Sequence, residues 1–314
     1  MRSDLILIIG SNGQLASAIK RINHSIKKKK NFKFLSRNEL DLSTNITKNF
    51  KSILNKYEPS LVINCAAYTA VDKAEDEKEL AMKVNGYSVG QIAEICSKNN
   101  VPFFHCSTDY VFDGKKNGLW KTTDKVNPFG VYGQSKLLGE KLIEDLREKN
   151  NNPKFFVMRV SWVFDPEGNN FVKTILKIIL SGKTLKVVDD QIGAPTSAES
   201  IAKALLDLSE DAIDNINPIN KRHNNFPWGT YHFQGRPVVS WYEFAVAIYN
   251  QLDEMNKIEK KTEVLPIKTI DYPTKSARPL NTALDCSKTE MELGLALPMW
   301  ENELNACLKR ILRK

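Results

Sequence analysis

The sequence predicts an α/β fold, a doubly wound parallel sheet with a smaller C-terminal α/β substrate lobe. Three observations carry this expectation. The first apolar run, Leu5 to Ile9, is hydrophobic at every position, as a strand is when helices cover both faces of its sheet. Strand-like and helix-like periods then alternate over about 160 residues, the rhythm of parallel strands joined by helical crossovers. The string GSNGQLA, from Gly10 to Ala16, follows the first strand directly and opens a helix.

A chain of 314 residues has room for roughly two domains of about 150 residues. With 42% hydrophobic and 26% charged residues it has the ordinary globular mixture, which excludes wholesale disorder. Forty-five basic residues against 37 acidic ones leave a net charge of +8, too modest an excess to mark a nucleic-acid partner. Five scattered cysteines without CxxC spacing fit a reducing compartment, so a cytoplasmic setting is expected. Leu5 to Ile9 is too short for a signal-peptide core, and no run of about 18 apolar residues implies a membrane span.

Each element follows from its local pattern. After the first strand comes a helix toward Ile22, the run Lys27 to Lys30 read as a solvated turn, and a strand near Phe32 to Leu35. Leu61 to Asn64 reads as a strand, Ala74 to Asn99 as mostly helix, and Phe103 to Ser107 as a strand. Val131 to Lys149 carries Leu137, Leu138, Leu142, Ile143 and Leu146 at helical spacing, with a strand next at Phe155 to Val160. Helices are expected at Asn170 to Leu180 and Ala198 to Leu208, and Thr230 to Phe233 as a strand returning to the first sheet. Ser240 and Glu243 form a capping-box pair that opens a helix to about Leu252. Pro266, Pro273 and Pro279 mark a less regular C-terminal region.

GSNGQLA has the form GxxGxxA. Its first glycine suits a tight turn, its second lets backbone approach a pyrophosphate, and the small third residue permits close helix-to-strand packing. Strand, loop and helix in this order give a Rossmann-like dinucleotide site. Such a site commonly holds the adenosine ribose with an acidic residue after the second strand, whereas a basic residue there receives a 2′-phosphate. Here that strand ends in Ser36-Arg37, which tilts the expectation to NADPH over NADH; Asp41 and Leu42 lie within reach of the adenine edge.

Tyr132 and Lys136 stand four residues apart, on one face of a helix. A neighbouring cation is expected to lower the phenol's pKa toward the range of an acid-base catalyst. Ser107 to Tyr110 falls where the fourth strand ends, on the carboxyl edge at which open α/β sheets bind ligands. Ser107 and Thr108 there suit a carbonyl oxygen or a turn equally well. Trp162 offers an indole for a sugar face or for the core, Asn169 and Asn170 suit hydroxyls or a helix cap, and Arg278 suits a diphosphate or a surface ion pair. His24, His105, His223 and His232 show no metal-ligand spacing, and the acidic group Glu75, Asp76, Glu77 and Glu79 reads as a solvated first helical turn, so no metal is expected.

These motifs, with NCAAYTAVDKAE (64–75), VNGYSVGQIA (84–93), STDYVFDG (107–114), PFGVYGQSKLLGE (128–140), RVSWVF (159–164), GNNF, DDQIGAPTS (189–197) and ARPLNTAL (277–284), span almost the whole chain. In them the sequence resembles the extended short-chain dehydrogenase/reductases and, within these, the dTDP-4-dehydrorhamnose reductases. The resemblance implies a nicotinamide cofactor with Gly10, Asn12, Gly13, Gln14 and Leu15 around its pyrophosphate and Ala66, Ala67 and Tyr68 along its adenosine side. It implies that Tyr132 and Lys136 flank the nicotinamide ribose and that Thr108, Asp109 and Trp162 contact a dTDP-linked 4-keto-6-deoxyhexose. The implied reaction is NAD(P)H-dependent reduction of the C4 carbonyl of dTDP-4-dehydro-L-rhamnose, with Tyr132 as acid, Thr108 polarising the oxygen and Lys136 tuning the tyrosine. The domain expectation is a cofactor domain of residues 1–163 with a segment near 193–233, and a substrate lobe from about 164–192 and 234–314.

Some members of this group bind magnesium between subunits through carboxylates on the first and last helices. This chain has Ala18 near the first place and Lys309 and Arg310 in the last, so a metal-bridged dimer is not expected, and a homodimer without metal stays open. Two other readings also stay open. One is a non-catalytic NADP-binding regulatory subunit like that of methionine adenosyltransferase, against which Tyr132, Lys136 and Thr108 speak. The other is a related sugar-nucleotide epimerase, or a reductase making another 6-deoxyhexose.

Overall fold

The computed structural model describes residues 4–25, 30–149, 154–216 and 226–313. Lys27 to Lys29 of the lysine run, and His223, lie outside the described residues. The first half runs β1 (Leu5–Ile9), α1 (Gln14–Ser25), β2 (Asn31–Leu35), α2 (Thr47–Tyr57), β3 (Leu61–Asn64), α3 (Val71–Ala74), α4 (Lys78–Met82), α5 (Ser88–Lys98), β4 (Phe103–Thr108), α6 (Val131–Lys149) and β5 (Phe155–Val160). These five strands and Gly229–Phe233 form one sheet, ordered Gly229–Phe233, β5, β4, β3, β1, β2, with every neighbouring pair parallel.

Both faces of this sheet are covered, as the unbroken apolar character of β1 requires. Ile6 and Ile8 point into a core shared with α1, Phe104, Phe156 and the helix Ala198–Ile216. Leu7 and Ile9, one residue out of phase, point into the opposite core with α2, α5 and α6. The strand order reverses between β1 and β3, so the crevice beyond their carboxyl ends is where a ligand of this architecture binds.

A third apolar cluster lies outside the sheet. It is built from the helices Phe171–Leu180, Trp241–Glu254 and Trp300–Leu312 around the parallel pair Leu185–Val188 and Val264–Ile267. The Ser240 capping box forms as expected, Ser240 Oγ accepting from Glu243 N and Glu243 accepting from Ser240 N. Pro266 sits exposed within Val264–Ile267, an edge strand where a missing N–H is tolerated. The helix from Ala198 continues to Ile216, about two turns beyond the expected end.

The expected helix from Ala74 to Asn99 is interrupted. Between α4 and α5 the chain makes a π-helical turn, Lys83–Tyr87, whose wider winding turns Asn85 inward. Asn85 Oδ1 accepts from Tyr68 N at 2.8 Å, and its Nδ2 donates to Tyr68 O at 2.9 Å and to Ser135 Oγ at 2.9 Å. One side-chain amide thus fixes the loop after β3 against α6. The close approach is possible because α6 presents Gly139 to the Asn85 carbonyl, where a Cβ would collide with backbone. Gly139→Ala should therefore cost about 1–3 kcal/mol, read as a lower urea midpoint with an unchanged slope; a wild-type midpoint would contradict this packing.

Candidate active site

The glycine loop is shaped by two demands at one residue. Gly10 has φ +97°, and a Cβ on it would lie 2.8 Å from the backbone N and Cα of Ala66. The amides of Gly10 and Ser11 both donate to Leu35 O, at 3.1 and 3.0 Å, which ties the loop to the end of β2. At Gly13 a Cβ would meet only Gly10 O, at 3.6 Å, so space is open before the start of α1. Ala16 is fully buried, as close packing of α1 on β1 demands.

Beside this loop is a cavity of about 380 Å³ lined by Gly10, Ser36, Arg37, Asp41, Leu42, Ala66, Ala67 and Tyr68 among others. Most of the residues expected along the adenosine side thus meet in one cavity. Asn12, Gly13, Gln14 and Leu15 do not line it; they sit at the α1 terminus, where Gln14 Oε1 accepts from Asn170 Nδ2 at 2.8 Å. Arg37 is exposed on the rim and pairs with Asp41 at 3.2 Å. The Asp41 carboxyl is held below its ordinary range chiefly by the Ser43 amide.

Tyr132 and Lys136 occupy successive turns at the start of α6, facing the end of β4. The chain folds this way because Glu75 Oε1 accepts from Val131 N at 3.0 Å, placing a carboxylate on the positive end of α6. Glu75 also accepts from Ser276 Oγ, so it is a clamp rather than part of a solvated first turn. Lys136 is 2% exposed. Its Nζ donates to Cys106 O at 2.6 Å and lies 3.2 Å from His105 Nε2. Burial lowers its pKa to about 8.

The expected lowering of the Tyr132 phenol does not occur in the protein alone. Burial drives it up to about 12, and the hydrogen bond with the Thr108 hydroxyl offsets only part of this. The ammonium that was to lower it is turned toward β4 instead. Thr108 Oγ1 donates to Asp109 Oδ1 at 2.9 Å and accepts from Tyr110 N at 3.3 Å. Asp109 is 2% exposed, and desolvation raises its carboxyl to about 7. Its Oδ2 is buried without a properly placed partner, the nearby Thr282 hydroxyl being turned to Ile192 O at 3.4 Å.

Ser107, in contrast, faces away from this group. Its hydroxyl donates to Glu140, which is bound by both Nε and Nη2 of Arg159 and is itself buried. Trp162, expected to serve a sugar face or the core, has one face taken up within the protein. One indole face is stacked on Trp241 at 3.5 Å, and Nε1 donates to Thr282 Oγ1 at 3.2 Å. Asn170 caps the helix from Phe171, and Asn169 is exposed.

A second cavity, of about 720 Å³, is lined by Lys115, Lys116, Phe129, Asp190, Arg278 and Asn281 among others. Arg278 makes the ion pair that was weighed against a ligand role, with Asp72 at 2.7 Å, and still lines this cavity. The lining holds three cations, Lys115, Lys116 and Arg278, and two carboxylates, Asp113 and Asp190. Asn64, Asn85 and Glu75 build the site without announcing it in the sequence; the one signal is Asn-Gly within an otherwise helical run at 85 and 86. Among the described residues no cluster of three or more His, Cys, Asp or Glu side chains is placed to hold a metal ion.

Known proteins supply the context for this geometry. The family model described as RmlD substrate binding domain matches residues 3–313. A dTDP-4-dehydrorhamnose reductase of Aggregatibacter actinomycetemcomitans is 39% identical over 301 residues, covering 95% of this chain and 96% of that protein. The enzyme of the same name from Salmonella typhimurium is 38% identical, covering 79% and 78%. Among solved structures, a dTDP-4-dehydrorhamnose reductase from Clostridium acetobutylicum superposes with a TM-score of 0.84 at 31% identity, over 98% of this chain and 99% of that one. That of Bacillus anthracis, solved in complex with NADP, gives 0.84 at 27% identity over 99% and 100%. With a family model matched from end to end and relatives of this identity and coverage, the chain belongs to the RmlD substrate binding domain family, the family of the dTDP-4-dehydrorhamnose reductases.

Proposed function

We propose that the chain reduces the C4 carbonyl of dTDP-4-dehydro-L-rhamnose to give dTDP-L-rhamnose, with NADPH as hydride donor and NADH as the alternative. The observation that carries this reading is the convergence of half-buried Tyr132 with buried Thr108 and Lys136 at the carboxyl end of β4 in a chain similar to enzymes of that name. We read residues 1–163 with about 193–233 as the cofactor domain and about 164–192 with 234–314 as the substrate lobe. The return of Gly229–Phe233 to the sheet and the separate apolar cluster support that division. Five free cysteines support a cytoplasmic location, and no helix among the described residues is long and apolar enough to cross a membrane.

The residues present fit a dinucleotide. Gly10 leaves no room for a Cβ, Gly13 leaves open space at the α1 terminus, and the cavity beside them carries Arg37 on its rim for a 2′-phosphate. A bound reduced nicotinamide supplies the hydride. This chain supplies the proton and its control. The raised Tyr132 pKa keeps its phenol loaded throughout the neutral range, the state a proton donor needs. Lys136, near its titration point, can restore the proton that Tyr132 gives up. Asp109 sets the Thr108 hydroxyl: ionised, it takes the hydroxyl hydrogen for itself; protonated, it leaves that hydrogen to the substrate oxygen. The unmatched Asp109 Oδ2 is a buried acceptor for a sugar hydroxyl.

Tyr132→Phe should lower kcat about 100-fold or more while leaving NADPH binding, read by fluorescence titration, within about twofold. Wild-type turnover would remove Tyr132 from the acid role. Arg37→Ala should raise KM for NADPH about tenfold and leave KM for NADH nearly unchanged; equal effects on both would show that Arg37 does not read a 2′-phosphate.

Asp109 gives a pH prediction. Its folded pKa lies above the unfolded one, so the folded state keeps a proton that the unfolded state releases. Its contribution to stability is lost as pH rises from about 4 to about 7, and the penalty is constant above that. Asp109→Asn should therefore gain more stability at pH 8 than at pH 5, by on the order of 2 kcal/mol in urea unfolding, while turnover falls. Equal gains at both pH values would contradict the raised pKa.

A further inference from the structure

Beneath the site a line of buried polar groups links the cofactor cavity to Lys136. Ala66, which lines that cavity, donates its amide to Asn64 Oδ1 at 3.1 Å. Asn64 Nδ2 stands 3.1 Å from His105 Nδ1, and His105 Nε2 stands 3.2 Å from Lys136 Nζ. Asn64 and His105 are completely buried, so water cannot complete or rearrange these bonds from outside.

The Ala66 amide can only donate, so Asn64 must meet it with its oxygen and present its NH₂ to His105. An NH₂ group can only donate, so His105 Nδ1 must be the unprotonated nitrogen. The neutral ring then carries its hydrogen on Nε2, directed at Lys136 Nζ. An uncharged amine accepts that hydrogen and still donates to Cys106 O. An ammonium has no lone pair, so it would oppose one N–H with another. The reverse arrangement, Lys136 donating to Nε2, puts a hydrogen on Nδ1 against the Asn64 NH₂. Rotating Asn64 to relieve this would set its NH₂ against the Ala66 amide.

Resting on the reductase reading of the site, we propose that Asn64 and His105 are positioning residues that hold Lys136 toward its uncharged form through the histidine tautomer. This makes Lys136 a proton carrier near neutrality rather than a permanent cation. Desolvation and the Lys136 charge both push the His105 pKa well down, so the ring stays neutral and the choice of tautomer is decided by Asn64. The other titratable groups that act on Lys136 are the Cys106 thiol at the end of β4, the Cys65 thiol just after β3, and Glu140 one turn along α6. Glu140 is already engaged by Ser107 from β4 and Arg159 from β5. Each of these three favours the ammonium, so none of them does what His105 does.

The test uses the whole protein labelled with ¹⁵N-histidine, free of ligand, and compares wild type with Asn64→Asp. A carboxylate of the same shape accepts from the Ala66 amide and from His105 Nδ1, which reverses the tautomer and turns the Nε2 lone pair to an ammonium. In the wild type the His105 hydrogen is expected on Nε2. In Asn64→Asp it should move to Nδ1, and the alkaline limb of kcat against pH should shift upward by about one unit or more. A wild-type hydrogen on Nδ1 would overturn the proposal even if the variant did not fold. So would a reversed tautomer with an unmoved alkaline limb, while leaving the reductase reading intact. If the wild type failed to oxidise NADPH with authentic substrate, the reductase reading would fall, and the nitrogen spectra would still decide the tautomer.

Discussion

The buried pair between Glu140 and Arg159 is the interaction on which the site depends. Arg159 lies on β5 and Glu140 on α6, and the carboxylate also takes the Ser107 hydroxyl from β4, while Arg159 reaches His232 on the returning strand. Two adjacent strands, α6 and the edge strand are thereby fixed at one point beneath the sheet's carboxyl edge. Removing either partner would leave a charge in the core, which generally costs about 3–5 kcal/mol. Charge neutralisation here is what makes it affordable to bury α6 so deeply, one turn from Lys136.

Burial also sets the chemistry at the sheet edge. Desolvation acts in the same sense on three titratable groups there, favouring the uncharged form: the Tyr132 phenol and Asp109 carboxyl are raised, and the Lys136 ammonium is lowered. For a reduction this is the useful direction. The acid must arrive protonated, and its replenishing group must be able to release a proton near neutrality. The cation effect that the four-residue spacing suggests is real in principle but loses here, because Lys136 is engaged by Cys106 O and stands beside His105.

Much of the fold was legible because its signals are local. β1, β2, β3, β4, β5 and α6 lie where apolar periodicity puts them, and Ser240 announces its helix by a capping box. GSNGQLA and the Tyr132 and Lys136 pair were readable because a phosphate turn and a helical face each require residues close in sequence. Asn85, Glu75 and the Asn64 and His105 pair were not. Their partners lie 17, 56 and 41 residues away, so their roles exist only once the sheet has formed. Trp162 was half legible: its aromatic character was plain, but its partner Trp241 belongs to another helix.

The central claim is a net reduction at C4 with the proton supplied by this chain. The direct measurement is product analysis by NMR after turnover of dTDP-4-dehydro-L-rhamnose with NADPH carrying deuterium at the transferring position. The expected outcome is one deuterium at C4 of a dTDP-6-deoxyhexose and one NADP⁺ formed per product. Recovery of an isomerised 4-keto sugar without cofactor consumption, or of unchanged substrate, would contradict it.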